Sequence, residues 1–227
     1  MNDVSVRLAH LLQTIRECEA RAERVPGSVG LVAVSKRQPA SAILQAYAAG
    51  QRAFGENYVQ EALIKIAALA ELTIEWHFIG PLQGNKTAAV AANFSWVHSL
   101  DRLHLAERLN QQRPHTLPPL NVCIQINVSG EASKHGIGAD ELPALAAAVT
   151  MLPRLRLRGL MTLPAPTPDV VAQRAAFATV AGLARSCTVP LDTLSMGTSD
   201  DFAAAIAEGA TLVRVGTALF GPRAGTA

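Results

Sequence analysis

Lys36 is the first residue whose type and position suggest chemistry. It follows the apolar run Leu31-Val32-Ala33-Val34 and Ser35, in a chain with only four lysines. An amine held among apolar groups loses hydration, which disfavours its charged form. The neutral amine can then attack an aldehyde and form a Schiff base. The plain alternative is a solvated lysine at a strand end. A second group lies near the C-terminus. Gly197, Gly216 and Gly221 allow close backbone approach, and Ser199 and Thr217 offer hydroxyls. With a helix starting near Ser199, these residues describe a phosphate cradle of N–H groups and helix dipole. Ordinary caps and turns are the alternative. Arg214 stands in the apolar stretch Leu212-Val213-Arg214-Val215. If it points inward it needs an acceptor; otherwise it is a surface ion pair.

Other chemistries find no motif. No G-x-G-x-x-G follows a strand, no G-x-S-x-G elbow is present, and residues 130–138 lack the G-K-[ST] of a P-loop. The six histidines show no metal-ligand spacing. His77 reads first as a hydrogen-bonded core histidine and second as a base.

The elements that must position these residues alternate along the chain. Val4, Leu8, Leu11, Leu12 and Ile15 predict an amphipathic helix over 3–24, stopped by Pro26-Gly27. A strand follows at 31–35, then a helix from Pro39 to near Gly50. Further strands are expected near 52–54, 75–79, 95–98, 120–127, 155–161, 192–195 and 212–215. Helices are expected near 57–71, 84–93, 101–112, 139–150, 169–186 and 199–208. Eight buried strands alternating with helices argue for a single TIM-type (β/α)8 barrel. A doubly wound open sheet is the second choice. In a barrel the active face lies at the C-terminal strand ends, where Lys36, Asn57, Ser199, Gly216 and Thr217 fall. One domain is expected over 1–227, with the helix of 1–26 packed outside the barrel.

Composition excludes several classes. Hydrophobic residues make up 49% of the 227 and charged residues 17%, which excludes a disordered chain. A net charge of +2 without like-charge runs argues against nucleic-acid and membrane-surface binding. The ten aromatics are too few for a single-strand stacking platform. Cys18, Cys123 and Cys187 do not form a disulfide pattern, and residues 1–24 have no signal-peptide core. The expectation is a reduced, cytoplasmic protein.

Taken together and in order, these stretches resemble one family. They are Val32-Ala33-Val34-Ser35-Lys36 with Pro39; Phe54-Gly55-Glu56-Asn57-Tyr58-Val59-Gln60-Glu61; and Trp76-His77-Phe78-Ile79-Gly80 with Leu82-Gln83 and Asn85-Lys86. Asn127-Val128-Ser129, Ser133-Lys134, Gly159-Leu160-Met161, Ser195-Met196-Gly197 and Arg214-Val215-Gly216-Thr217-Ala218-Leu219-Phe220-Gly221 continue the set. The chain is similar to the pyridoxal phosphate homeostasis proteins, related to the N-terminal barrel of bacterial alanine racemases. The resemblance implies an alanine-racemase-type barrel holding pyridoxal 5'-phosphate. It implies Lys36 as the Schiff-base lysine, Ser199, Gly216 and Thr217 on the phosphate, and Arg214 facing the pyridine nitrogen. It also implies Asn57 in the cofactor-side loop and Lys134 as a further lysine on that face. Thr198 departs from the methionine common after Ser-Met-Gly.

An arginine at the ring nitrogen disfavours the protonated pyridine that carbanion chemistry uses. A racemase adds a tyrosine base from another domain, and no such domain is read in this chain. The expectation is therefore a carrier that buffers or delivers the cofactor, with apo-enzymes as partners, in monomeric form. The alternatives are an amino-acid racemase with Tyr58 or His77 as base, a Schiff-base aldolase working without the cofactor, and an interaction protein with a vestigial pocket. Lys134 is a candidate for a second, transient aldehyde adduct.

Overall fold

The structure is a computed structural model and describes residues 4–129 and 135–221. Eight parallel strands close into a barrel in sequence order: β1 Gly30–Val34, β2 Ala53–Glu56, β3 Glu75–Phe78, β4 Trp96–Leu100, β5 Leu120–Gln125, β6 Leu155–Met161, β7 Thr193–Ser195 and β8 Leu212–Val215. β8 pairs with β1, from Gly30 opposite Leu212 to Ala33 opposite Val215. Closure excludes the open doubly wound sheet.

Helices cover the outside: α2 Ala40–Ala48, α3 Val59–Ala68, α4 Thr87–Asn93, α5 Leu103–Gln112, α6 Leu142–Thr150, α7 Val170–Ser186, α8 Phe202–Ala207 and the short α9 Thr217–Phe220. A preceding helix, α1 Val4–Arg21, packs on α2, α8 and α9. Its apolar stripe of Val4, Leu8, Leu11 and Ile15 is buried. The buried Glu19 carboxylate accepts the N–H groups of Gly27 and Val29 at 3.0 and 2.7 Å, which ties α1 to the start of β1.

Alternation along each strand divides two cores. Leu31, Ala33, Phe54, Phe78, Val97, Val122, Val213 and Val215 belong to the large apolar cluster under the helices. Trp96, Cys123 and Met161 form a separate small cluster. A Cβ on Gly55 would meet Val32 and Ile79 at 3.0 Å, so those side chains share the lumen with it. Gly159 permits the closest strand approach: a Cβ there would lie 1.7 Å from the Thr193 carbonyl oxygen.

Several boundaries differ from the sequence reading, and three of them have a plain local reason. The helix expected near Ser199 starts at Phe202. Asp201 Oδ1 accepts the Thr198 N–H and hydroxyl, folding 198–201 into a turn. α3 starts at Val59 because Tyr58 is extended (φ −123°, ψ 118°), leaving Asn57 in the loop. β5 stops at Gln125, after which Ile126 bridges to Ile137.

Candidate functional site

The C-terminal mouth of the barrel holds a cavity of about 220 Å³. Lys36, Asn57, Ser199, Arg214, Gly216 and Thr217 all line it. These residues come from the turn after β1, the β2–α3 loop, the β7–α8 loop and the segment from β8 into α9, so barrel closure brings them together. Val34, Ile79 and Leu163 supply its apolar wall. Gln38 and Asp200 also line it and were not foreseen. Gln38 lies two residues past Lys36, and Asp200 directly follows Ser199; adjacency is the only signal either offered.

Lys36 is presented by a turn held from behind. Arg37 takes φ +59°, a left-handed conformation that side chains rarely adopt. Its backbone N–H donates to Glu61 Oε1 at 2.5 Å. Lys65, buried between the barrel and α3, donates to Glu61 Oε1 at 2.6 Å, Glu56 Oε1 at 2.8 Å and the Ser35 carbonyl at 2.7 Å. The Ser35 hydroxyl donates to the same Glu56 oxygen at 2.6 Å. Burial pushes the Glu56 carboxyl upward, against the hydrogen bonds from Lys65 and Ser35 that pull it down. This clamp was not read from the sequence. Glu61 and Lys65 at i,i+4 are the visible trace, but that spacing usually marks a solvated helix pair.

Arg214 points into the lumen and is 3% exposed. Nη1 donates to Ser195 Oγ at 2.7 Å and Nη2 to the Thr162 carbonyl at 2.8 Å. Both partners are neutral. Burial lowers its pKa to about 10, with Asp201 pulling the other way. Two of the five guanidinium donors are thus engaged among the described residues.

At the β7–β8 side, Ser199 Oγ lies 3.5 Å from the Ala218 N–H in the first turn of α9. The helix terminus at the candidate cradle is therefore that of α9, not of the helix expected at Ser199. A Cβ on Gly216 would stand 3.1 Å from the Val34 carbonyl oxygen. Gly197 takes φ +95° and would press a Cβ to 2.7 Å from Ala205, so the turn preceding Ser199 requires glycine. Thr198 lines the cavity with its hydroxyl engaged by Asp201 at 2.9 Å.

Two other candidates stand elsewhere. His77 is buried in the lumen and Tyr58 is 49% exposed; neither lines the cavity. Burial lowers the His77 pKa, with Glu75 opposing. Lys134 lies outside the described residues. Cys123 is no nucleophile, because burial pushes its thiol up to about 12. Among the described residues no group of histidine, cysteine and acidic side chains forms a metal site, and no helix is long and apolar enough to cross a membrane.

Pyridoxal phosphate fits three observations here. Asn57 Oδ1 is buried without a hydrogen-bond partner beside the cavity. Arg214 has donors left. The backbone at Gly216 is closely packed, with a Cβ there meeting the Val34 carbonyl oxygen at 3.1 Å.

Comparison with known proteins agrees with this architecture. The family model of the alanine racemase N-terminal domain matches residues 6–224. The pyridoxal phosphate homeostasis protein of Pseudomonas aeruginosa is 59% identical over 98% of this chain and 97% of its own. PipY of Synechococcus elongatus, solved with pyridoxal phosphate bound, superposes with a TM-score of 0.81 at 39% identity, over 96% of this chain and all of that one. Alanine racemase from Corynebacterium glutamicum shares the fold alone, with a TM-score of 0.71 at 19% identity over 96% of this chain and 62% of the racemase. A match spanning nearly the whole barrel, with relatives this similar over their full length, shows that the chain belongs to the pyridoxal phosphate homeostasis proteins of the alanine racemase N-terminal domain family.

Proposed function

We propose that this protein holds pyridoxal 5'-phosphate reversibly on Lys36 and buffers or delivers it, without efficient amino-acid turnover. The single observation that carries the reading is the shared cavity. Six residues from four separate segments line one pocket of cofactor-headgroup chemistry. Lys36 supplies the amine. Ser199 of the β7–α8 loop, with Gly216 and Thr217 at the start of α9, takes the phosphate. Arg214 faces the ring nitrogen with a cationic donor, and Asn57 offers its buried amide. When bound, the cofactor supplies an aldehyde that condenses with amines, and an electron sink once its ring nitrogen is protonated. A guanidinium at that nitrogen holds it unprotonated, which suits storage better than carbanion chemistry. Tyr58 and His77, the bases a racemase would need, are both outside the cavity lining. Apo-enzymes in the cytoplasm are the natural recipients, and the working form is a monomer.

The test is a visible spectrum of wild type and Lys36→Ala with the cofactor added, before and after borohydride, followed by peptide mapping. A yellow wild type with one reduced label on Lys36, and an unlabelled variant, support the reading. A protein that stays colourless, or a label on another residue, overturns it. Racemisation of free amino acids at ordinary enzyme rates would defeat the carrier role.

A further inference from the structure

The lumen beneath the pocket holds a polar series that cofactor binding does not itself require. Arg214 Nη1 donates to Ser195 Oγ at 2.7 Å, and Ser195 Oγ lies 2.7 Å from His98 Nδ1. His98 Nε2 lies 2.8 Å from His77 Nδ1, and His77 Nε2 lies 2.7 Å from Glu75 Oε1. Ser195, His98 and His77 are all buried. The Glu75 side chain, at the start of β3, is half exposed, whereas Arg214 lines the cavity at the other mouth. The series therefore runs through the barrel from solvent to pocket.

The two ends determine its direction. A guanidinium only donates and a carboxylate only accepts. Ser195 accepts from Arg214 and passes its own proton toward His98 Nδ1. That nitrogen then carries no hydrogen, so His98 Nε2–H donates to His77 Nδ1. His77 in turn donates from Nε2–H to Glu75. Both imidazoles are neutral and share one tautomer. The reverse direction needs a doubly protonated His77. It also leaves the buried Ser195 hydroxyl proton with no acceptor among the described residues.

The surroundings favour the neutral arrangement. Trp96 of β4 stacks on His77 at 5.5 Å and 8°. Arg158 of β6 covers the Trp96 ring and pairs with Asp192 at the start of the β7 segment. Cys123 of β5 and Asp201 of the β7–α8 loop act on Arg214. Among the described residues, Glu75 is the one carboxylate bonded to either histidine. Burial lowers both imidazole pKa values, and Arg214 adds to the effect at His98.

We infer that Ser195, His98 and His77 form a one-way donor relay that couples the Glu75 carboxylate at one barrel mouth to Arg214 at the other. They are positioning residues for the pocket. No proton crosses the barrel. Each bond polarises the next, and the relay holds the guanidinium in one plane with donors left for a ligand. The effect on the ligand rests on the pyridoxal phosphate reading; the tautomers do not.

Two measurements test it. Long-range ¹H–¹⁵N NMR of ligand-free protein, assigned with His77→Gln and His98→Gln, reads the tautomers directly. The expected result is a neutral Nε2–H ring at both positions from about pH 5.5 to 8.5. An Nδ1–H signal or a protonated ring at either position in that range overturns the relay. The second measurement is pyridoxal phosphate binding by visible absorbance. Ser195→Ala, checked for an intact fold by circular dichroism, should bind about tenfold more weakly, having lost the acceptor that orients Arg214. Glu75→Gln keeps an acceptor but removes the charge. It should move the pH midpoint of the bound visible band by about 0.3 units or more, while surface Glu17→Gln moves nothing. A Glu75→Gln midpoint equal to wild type overturns the coupling. A wild type that binds no cofactor defeats the proposed function and leaves the NMR result standing.

Discussion

Two buried cations flank the candidate pocket, and the protein treats them differently. Lys65, between β2 and α3, is ringed by the Glu56 and Glu61 carboxylates and the Ser35 carbonyl. Arg214, in the lumen, has among the described residues only a serine hydroxyl and a threonine carbonyl as hydrogen-bond partners. A carboxylate cancels a buried charge, whereas a neutral acceptor merely orients it. The Lys65 cluster therefore uses its charge internally, and what it holds is backbone: the turn that presents Lys36. The Arg214 arrangement holds a side chain and leaves its positive charge for a ligand.

The largest effect should come from breaking the internally balanced cation. Lys65→Met strands the buried Glu56 carboxylate and should cost about 3–5 kcal/mol in urea denaturation. Glu56→Gln combined with Lys65→Met should recover more than half of that loss. Equal stability of the single and double variants would show that the pair is not coupled.

Acidification separates the two systems next. His77 and His98 stay neutral in the fold, with pKa values below the ordinary 6.5. The unfolded chain takes up their protons first as pH falls, so this stability is complete above about pH 6.5 and declines below it, by up to about 1.4 kcal/mol per pH unit for each histidine. His98→Gln should flatten the decline. Glu56 works in the opposite sense. Its pKa is raised above 4.5, so its contribution is full below that value and is lost as pH rises through the folded pKa. Glu56→Gln should therefore steepen the acid loss, and a shallower acid loss in that variant would contradict the assignment.

Arg214→Met should cost less stability than Lys65→Met, about 1–3 kcal/mol for two acceptors left unpaired, while abolishing most cofactor retention. If it instead destabilises as strongly as Lys65→Met, the guanidinium has a structural role like that of Lys65. The smallest stability change is expected for Gly216→Ala, about 1 kcal/mol, because its Cβ meets the Val34 carbonyl oxygen at 3.1 Å rather than clashing outright. Its cofactor affinity should fall further than its melting temperature suggests. Unchanged affinity would remove Gly216 from the cradle.

Much of the fold was legible because its signals are local. The stripe of Val4, Leu8, Leu11 and Ile15 declares a helix by its period, and Pro26-Gly27 ends it. The runs at 155–161 and 212–215 match β6 and β8 from end to end. The α8 start was misplaced because Ser199 has the chemistry of an N-cap, while a turn closed by Asp201 delays the helix. α9 was missed because a four-residue helix has too little sequence to show a period.

By itself the sequence determined the alternation of strands and helices, the barrel class and the set of residues that could meet at its C-terminal mouth. Only the tertiary structure decided which way the buried polar groups face. Strands covered on both sides carry near-continuous apolar residues, so they lack the alternation that would mark lumen from wall. The closing register of β8 on β1, with Arg214 opposite Val32, turns that arginine inward toward Ser195. The packing of α3 on the β1 end turns Lys65, an ordinary helix lysine by spacing, into the buried support of the Lys36 turn. Both outcomes depend on contacts between segments far apart in the chain, which no local pattern encodes.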